Sequence, residues 1–229
     1  MPTPPPQLGA AGLWSLVLLV LVSAVPVLLA TRPLLLHLPE PAGPDRKKAY
    51  RDLPTRRFVV GCTLLSGVGA ALVGLTLPVA VWPLWWVLAT PALVLVAVDA
   101  RTTWLPLPLT RGVWAASTGA AAVTTWLGGA VVLGRGAAGA VVAGLLYLVL
   151  WRLSGRGIGF GDVRLAPVLG AAGAAVGWST LLATLLLGSV VGALVGLVLA
   201  ARRRRGPFAY APSMLAGAFL ACVVRALSG

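Results

Sequence analysis

The chain has 229 residues, of which 59% are hydrophobic and only 10% are charged, and its net charge at pH 7 is +13. Soluble domains have about 25% charged residues, so this composition excludes an ordinary soluble enzyme and predicts an integral membrane protein. The basic excess does not indicate nucleic-acid binding, because no soluble basic domain remains for that function.

The hydrophobic pattern predicts an all-α polytopic membrane protein with about eight spans, since a backbone in lipid must satisfy its own hydrogen bonds. The Pro-rich residues 1–12 are predicted to be disordered, and residues 13–229 to form a single helical membrane domain. A first span at 13–30 precedes the longest polar segment, residues 31–57. Further spans are predicted at 58–81, 84–99, 110–133, 137–151, 163–178, 180–201 and 208–227.

The distribution of basic residues predicts the orientation of these spans. Of the 18 Lys and Arg residues, all but Arg135 and Arg225 lie in or beside four alternate connections, at 31–57, 100–109, 152–162 and 202–207. Because Lys and Arg accumulate on the cytoplasmic side, these four connections are predicted to be cytoplasmic and both termini to lie outside. The expected location is the inner or plasma membrane.

Two smaller patterns concern packing and membrane depth. Gly188, Gly192 and Gly196 recur every four residues, which would let a second helix approach closely, although a glycine-rich composition also produces such spacing. Trp82, Trp85 and Trp86 follow the second predicted span, where an aromatic belt at the outer interface is expected.

Asp99 and Asp162 are the only acidic residues outside the 31–57 segment. Asp99 ends the third predicted span and Asp162 begins the sixth, so both are placed at the cytoplasmic boundary. An ionisable residue there is costly unless it is paired, hydrated or functional. Structural roles remain open for each, with Asp162 as an N-cap and Asp99 as a partner of Arg101 or Arg111.

Together, the two aspartates suggest acid–base chemistry. Two carboxylates brought close do not easily both ionise, so one keeps a proton. The ionised group can take a proton from water while the protonated group donates to the carbonyl oxygen of an amide. Gly159 and Gly161 would allow backbone angles closed to other residues and a close approach by a substrate strand. No Cys or His cluster accompanies the pair, so no metal and no cofactor is expected.

Three segments resemble the prepilin peptidases, the membrane aspartic proteases of the Gly-x-Gly-Asp type that process type IV pilin-like precursors. "VDARTTWLPLPLT" (98–110) is similar to the family's first-aspartate segment, in which a proline, here Pro106, stands seven residues after the aspartate. "GFGDVRLAPVLGAAG" (159–173) is similar to the second-aspartate segment. "GPFAYAPSMLAG" (206–217) resembles the start of the last span, with its second proline one place late.

The resemblance implies an endopeptidase that cleaves the leader of such precursors at the cytoplasmic boundary. Its catalytic residues would be Asp99 and Asp162, with Gly159, Gly161 and Pro106 as supporting motif residues. Its partners would be the lipid bilayer and small precursors with a short basic leader, a glycine before the cut and an apolar helix after it.

The chain departs from the family pattern in two places. Leu107 stands where the family often has Asn or Asp, which concerns a secondary polar contact. The 31–57 segment has none of the cysteines of the methylation domain found in larger members. A short form is therefore expected, with cleavage but without support for methylation.

Three alternatives remain at this stage. A presenilin-like protease shares Gly-x-Gly-Asp, but Val98 stands where those proteins have tyrosine and their Pro-Ala-Leu motif is absent. A proton-coupled transporter could use the two aspartates as a relay. A non-catalytic scaffold of a pilus or secretion system would need neither aspartate.

Overall fold

The computed structural model describes residues 10–39, 49–154, 158–203 and 208–228, and within these ranges it is almost entirely helical. A 3-10 turn at Tyr50–Asp52 precedes the second helix. The helices are α1 (Ala10–Leu36), α2 (Arg56–Thr76), α3 (Val79–Thr102), α4 (Leu107–Leu153), α5 (Phe160–Val176), α6 (Trp178–Ala201) and α7 (Ala211–Ser228). α3 is one run that includes a 3-10 turn at Val79–Val81 and a π turn at Leu88–Ala92.

The helix α4 reverses direction at Gly129. This residue has φ 79° and ψ 174°, a conformation that only glycine adopts without strain. Trp114, before the break, donates its indole N–H to the carbonyl oxygen of Arg164 in α5 at 3.0 Å, and Gly144, after the break, packs against Pro167 of α5. The two halves, α4a (107–128) and α4b (130–153), therefore both pack against α5 and run antiparallel to each other.

Six helices in the described ranges are long and apolar enough to cross a membrane, namely α1 to α4, α6 and α7. With 47 residues, α4 would extend about 70 Å if straight, more than twice the roughly 30 Å of a bilayer core, so its halves count as two spans. Counting the halves of α4 separately and adding the 17-residue α5, which is not among those six, gives eight helical segments in the described ranges. The prediction of an all-α, multi-pass membrane protein is confirmed.

Several predicted boundaries are wrong by a turn or two. α1 extends to Leu36, so residues 31–36 are helical although they were predicted to begin a loop. The reversal at Gly129 replaces the turn predicted between 133 and 137, because an apolar Gly-Gly pair gives no hydropathy signal. Residues 10–12 belong to α1, while the rest of the predicted disordered terminus, 1–9, and the loop residues 40–48, 155–157 and 204–207 lie outside the described residues.

The core of the bundle is built around α3. Trp85 of this helix is fully buried, donates its indole N–H to the carbonyl oxygen of Ala172 in α5 at 3.0 Å, and meets Phe219 of α7 edge-on at 6.2 Å. The prediction that Trp85 belongs to an interfacial belt is therefore wrong. A tryptophan whose N–H has a partner can be buried completely, and this one ties α3 to α5.

Small residues allow α6 and α7 to approach closely. A Cβ at Gly217 of α7 would collide with the backbone of Gly188, and a Cβ at Gly192 would collide with the ring of Tyr210. Gly196 has nothing within 4 Å of its Cβ position. The predicted close approach of another helix is thus confirmed for Gly188 and wrong for Gly196, while Gly192 makes room for Tyr210, the residue just before α7.

Candidate active site

Asp99 lies in the last full turn of α3 and is only 3% exposed. Thr103 ends this helix in a left-handed conformation (φ 59°), with its N–H donating to the carbonyl oxygen of Asp99 at 2.7 Å. The side-chain carboxylate of Asp99 accepts a hydrogen bond from the backbone N–H of Ala211, the first residue of α7. The carboxylate is therefore held where the end of α3 meets the start of α7.

Asp162 lies in the first turn of α5 and is 4% exposed. Its N–H donates to the carbonyl oxygen of Gly159 at 3.0 Å, and its carboxylate accepts the N–H of Gly159 in return. The N-cap is Gly159, so the alternative that Asp162 is itself the N-cap is wrong. Asp162 occupies the third helical position, from which a side chain reaches back to the cap as in a capping box.

Both motif glycines have ordinary backbone geometry, and Gly161 serves close packing. Gly159 has the ordinary extended angles φ −66° and ψ 138°, and Gly161 is not among the described residues with positive φ. The expectation that they use angles closed to other residues is therefore wrong. A Cβ at Gly161 would lie 2.6 Å from Cδ1 of Leu105, so its absence lets the two aspartate-bearing segments touch.

Pro106 begins α4 as its N-cap. Its carbonyl oxygen accepts both the N–H and the hydroxyl of Thr110, each at 3.0 Å. The fixed φ of proline suits the start of a helix, and here it turns the chain within four residues of the end of α3. The motif proline thus shapes the connection that places Leu105 against Gly161.

One cavity of about 770 Å³ joins these elements. Asp99 and Asp162 both line it, together with the three motif residues Gly159, Gly161 and Pro106. Its remaining walls come from the segments that follow α1, α3 and α6, including Pro39, Tyr50, Trp104, Leu105, Phe208 and Tyr210. Described residues in or beside each of the four basic connections therefore line one cavity at one end of the bundle, and every sequence-predicted site residue lies there.

The two carboxyl groups are close enough to interact electrostatically. Oδ2 of Asp99 and Oδ1 of Asp162 are buried and have no hydrogen-bond partner among the described residues. Within that part of the chain neither aspartate forms an ion pair, so the alternative that Asp99 pairs with Arg101 or Arg111 is wrong. A buried carboxylate oxygen without a partner is costly and is characteristic of functional sites.

Tyrosines around Asp162 were missed by the sequence analysis. The hydroxyl of Tyr147, on α4b, is within hydrogen-bonding reach of the side chains of Tyr210 and Ser189 and interacts electrostatically with Asp162. Tyr210 itself lines the cavity, as does Tyr50, so all three tyrosines of the chain cluster at this site. The one sequence signal for them is that the chain has only three tyrosines. An aromatic residue in an apolar helix usually indicates packing, so Tyr147 did not stand out as a site residue.

Arg164 was also missed. Its side chain lines the cavity one turn from the start of α5, and its guanidinium stacks over the ring of Phe160 at 4.8 Å. This contact fixes a positive charge beside the cavity mouth.

Comparison with known proteins shows which proteins this chain is similar to. Residues 86–197, which include both aspartates and the three motif residues, match the model of the type IV leader peptidase family. Through this segment, the chain is similar to that family. No solved structure matches the chain.

Two named relatives extend the family match. A "prepilin leader peptidase/N-methyltransferase" of Pseudomonas putida is 39% identical over 150 residues, covering 61% of this chain and 47% of that protein. A protein of the same name from Burkholderia pseudomallei (strain 1026b) is 36% identical over 140 residues, covering 57% of this chain and 42% of that protein. The chain thus spans about half the length of the curated relatives it matches.

Proposed function

We propose that this protein is a membrane aspartic endopeptidase that removes the leader peptide from type IV pilin-like precursors at the cytoplasmic membrane boundary. The observation that supports this function best is the meeting of Asp99 and Asp162, from separate helices, in one cavity at one end of the bundle. Each of them has one carboxylate oxygen held by a backbone N–H and one oxygen without a partner among the described residues.

In the proposed mechanism the two carboxyl groups share one proton. The ionised carboxylate removes a proton from water as the water oxygen attacks the carbonyl carbon of the scissile amide, and the protonated carboxyl donates to the carbonyl oxygen. The tetrahedral intermediate then collapses. Its C–N bond breaks as the leaving nitrogen takes the proton that the first carboxylate removed from water, while the second carboxylate recovers a proton from a hydroxyl of the intermediate. The products are a carboxylic acid and an amine, and no covalent enzyme intermediate forms.

The contacts of the pair suit this chemistry. Gly159 and Ala211 donate backbone N–H groups at the beginnings of α5 and α7, so each carboxylate is oriented by a rigid helix end. A hydrogen bond to only one oxygen leaves the other to contact water or substrate. Catalytic groups that are held in advance lose little orientational freedom in the transition state.

The substrate we propose is a small precursor with a short basic leader, a glycine before the cut and an apolar helix after it. The apolar helix would lie in the bilayer while the scissile bond reaches the cavity at the boundary. The curated relatives are named for leader cleavage and N-methylation together. For this chain we propose the cleavage step.

Co-expression with candidate pilin-like precursors, followed by mass spectrometry of the precursor, tests this function. We expect the precursor to lose the mass of its leader only when the wild-type protein is present. The purified protein should retain its cleavage rate in a strong chelator, because the chain has a single His and two separate Cys. An unprocessed precursor would contradict the proposed activity, and a chelator-induced loss restored by zinc would contradict an aspartate-only mechanism.

A further inference from the structure

A second concave surface, the α2/α3/α7 groove, lies between these three helices away from the candidate active site. It encloses about 440 Å³. Its walls are apolar, and they include Leu65 and Val68 of α2, Val96 of α3 and Phe219 of α7. Because Leu65 is 60% exposed and Val68 66% exposed, the groove opens toward the lipid phase. The proposed peptidase function does not use it.

Two arginines line the end of this groove that lies nearest the candidate active site. Arg57 is in the first turn of α2 and Arg101 in the last turn of α3, and both side chains are exposed. Arg101 lies close enough to the groove-wall residue Cys62 to interact with it electrostatically. Among the described residues no Asp or Glu lines the groove, since Asp99 lines the active-site cavity instead.

We propose that the α2/α3/α7 groove binds an anionic phospholipid, with its phosphate at Arg57 and Arg101 and an acyl chain along the apolar walls. Basic pockets between membrane helices at the cytoplasmic boundary attract anionic headgroups, and a guanidinium offers the paired donors that a phosphate accepts. Charge complementarity favours this occupant over the precursor, whose leader is basic in the proposed function. A bound headgroup would brace the end of α3 that positions Asp99.

Native mass spectrometry of the purified protein tests the headgroup contact. We expect wild-type protein to bind phosphatidylglycerol more tightly than phosphatidylcholine with the same acyl chains. The double variant R57Q/R101Q should bind phosphatidylglycerol about thirtyfold more weakly, given about 1 kcal/mol for each arginine and about 1.4 kcal/mol for each tenfold change. The control R111Q/R152Q removes two exposed arginines at the same end that do not line the groove, and it should bind like wild type.

A second variant tests the acyl-chain contact without changing any charge. Gly61 lines the groove and has nothing within 4 Å of its Cβ position, so Gly61→Leu should fold and partly fill the groove. We expect it to weaken phosphatidylglycerol binding, whereas Gly112→Leu, which also has open space and lies outside the groove, should not. Inorganic phosphate in excess should not displace the lipid, because it lacks the acyl chain.

Three results would overturn the proposal. The first is equal binding of the two lipids by wild-type protein, and the second is equal phosphatidylglycerol binding by R57Q/R101Q and R111Q/R152Q. The third is capture of a precursor, in place of lipid, by a photo-crosslinker introduced at position 61, because that would assign the groove to the substrate helix.

Discussion

Asp99 and Asp162 are both buried, and neither has the partners that a purely structural carboxylate needs. Each accepts one backbone N–H and retains one buried oxygen without a partner among the described residues. Burying a carboxylate costs several kcal/mol unless its oxygens are satisfied. In a purely structural cap or ion pair, both carboxylate oxygens would have partners. Because one oxygen of each aspartate has none among the described residues, a chemical role for the pair is favoured.

Tyr147 is predicted to position Asp162 through its hydroxyl. Tyr147→Phe keeps the ring but removes the group that reaches Tyr210 and Ser189 beside the aspartate. We expect kcat for precursor cleavage to fall about tenfold, the effect of losing one hydrogen bond in a buried network, with little change in KM. Thr118→Val is a matched control, because it removes an exposed hydroxyl that bonds within α4a at 3.0 Å. Unchanged kcat, or a loss explained by a smaller folded fraction, would contradict this role.

The two segments that carry the aspartates touch between Gly161, at the start of α5, and Leu105, in the connection after α3. A Cβ at Gly161 would lie 2.6 Å from Cδ1 and 3.1 Å from Cβ of Leu105. We expect Gly161→Ala to push the aspartate-bearing segments apart and to lower cleavage at least tenfold, since overpacking costs about 1–3 kcal/mol.

A second substitution at Leu105 shows whether the loss in Gly161→Ala comes from this clash or from alanine itself. Leu105→Ala removes the Cδ1 atom that the new methyl group would meet, so the double variant G161A/L105A should regain part of the activity. Gly112→Ala, which has open space around its Cβ position, should cleave the precursor like wild type. Full activity of Gly161→Ala, measured at matched expression, would show that the contact is not needed.

At the scale of the whole molecule, described residues in or beside all four basic connections line one cavity at the same end. The side of the membrane on which this end lies is a prediction. Reporter domains fused after Gly129, at the reversal in α4, and after Arg203, at the end of α6, should report opposite sides, with Arg203 cytoplasmic. The reason is that Lys and Arg adjacent to spans are retained on the cytoplasmic side. Reports from the same side would contradict both the orientation and the shared location of the two aspartates.

Much of this architecture could be predicted from the sequence, because hydropathy and charge act directly on membrane insertion. The all-α, multi-pass architecture and the placement of Asp99 and Asp162 at the same end of the bundle follow from those two patterns. The reversal at Gly129 could not be predicted, since a positive φ leaves no mark in hydropathy. The buried role of Trp85 and the position of Tyr147 depend on which helices are neighbours, and local sequence does not contain that information.

The central claim is that Asp99 and Asp162 act as a catalytic unit, and cleavage by Asn variants tests it most directly. Asn retains the size of Asp, and its side-chain oxygen can still accept the N–H of Gly159 or Ala211, so folding should be preserved. Precursor cleavage would be followed for wild type, Asp99→Asn, Asp162→Asn and the double variant at matched expression. We predict that each single variant loses activity by orders of magnitude and that the double variant is little worse, because groups that act as a unit are strongly non-additive. Near-normal cleavage by either well-folded single variant would contradict the account and return that aspartate to a structural role.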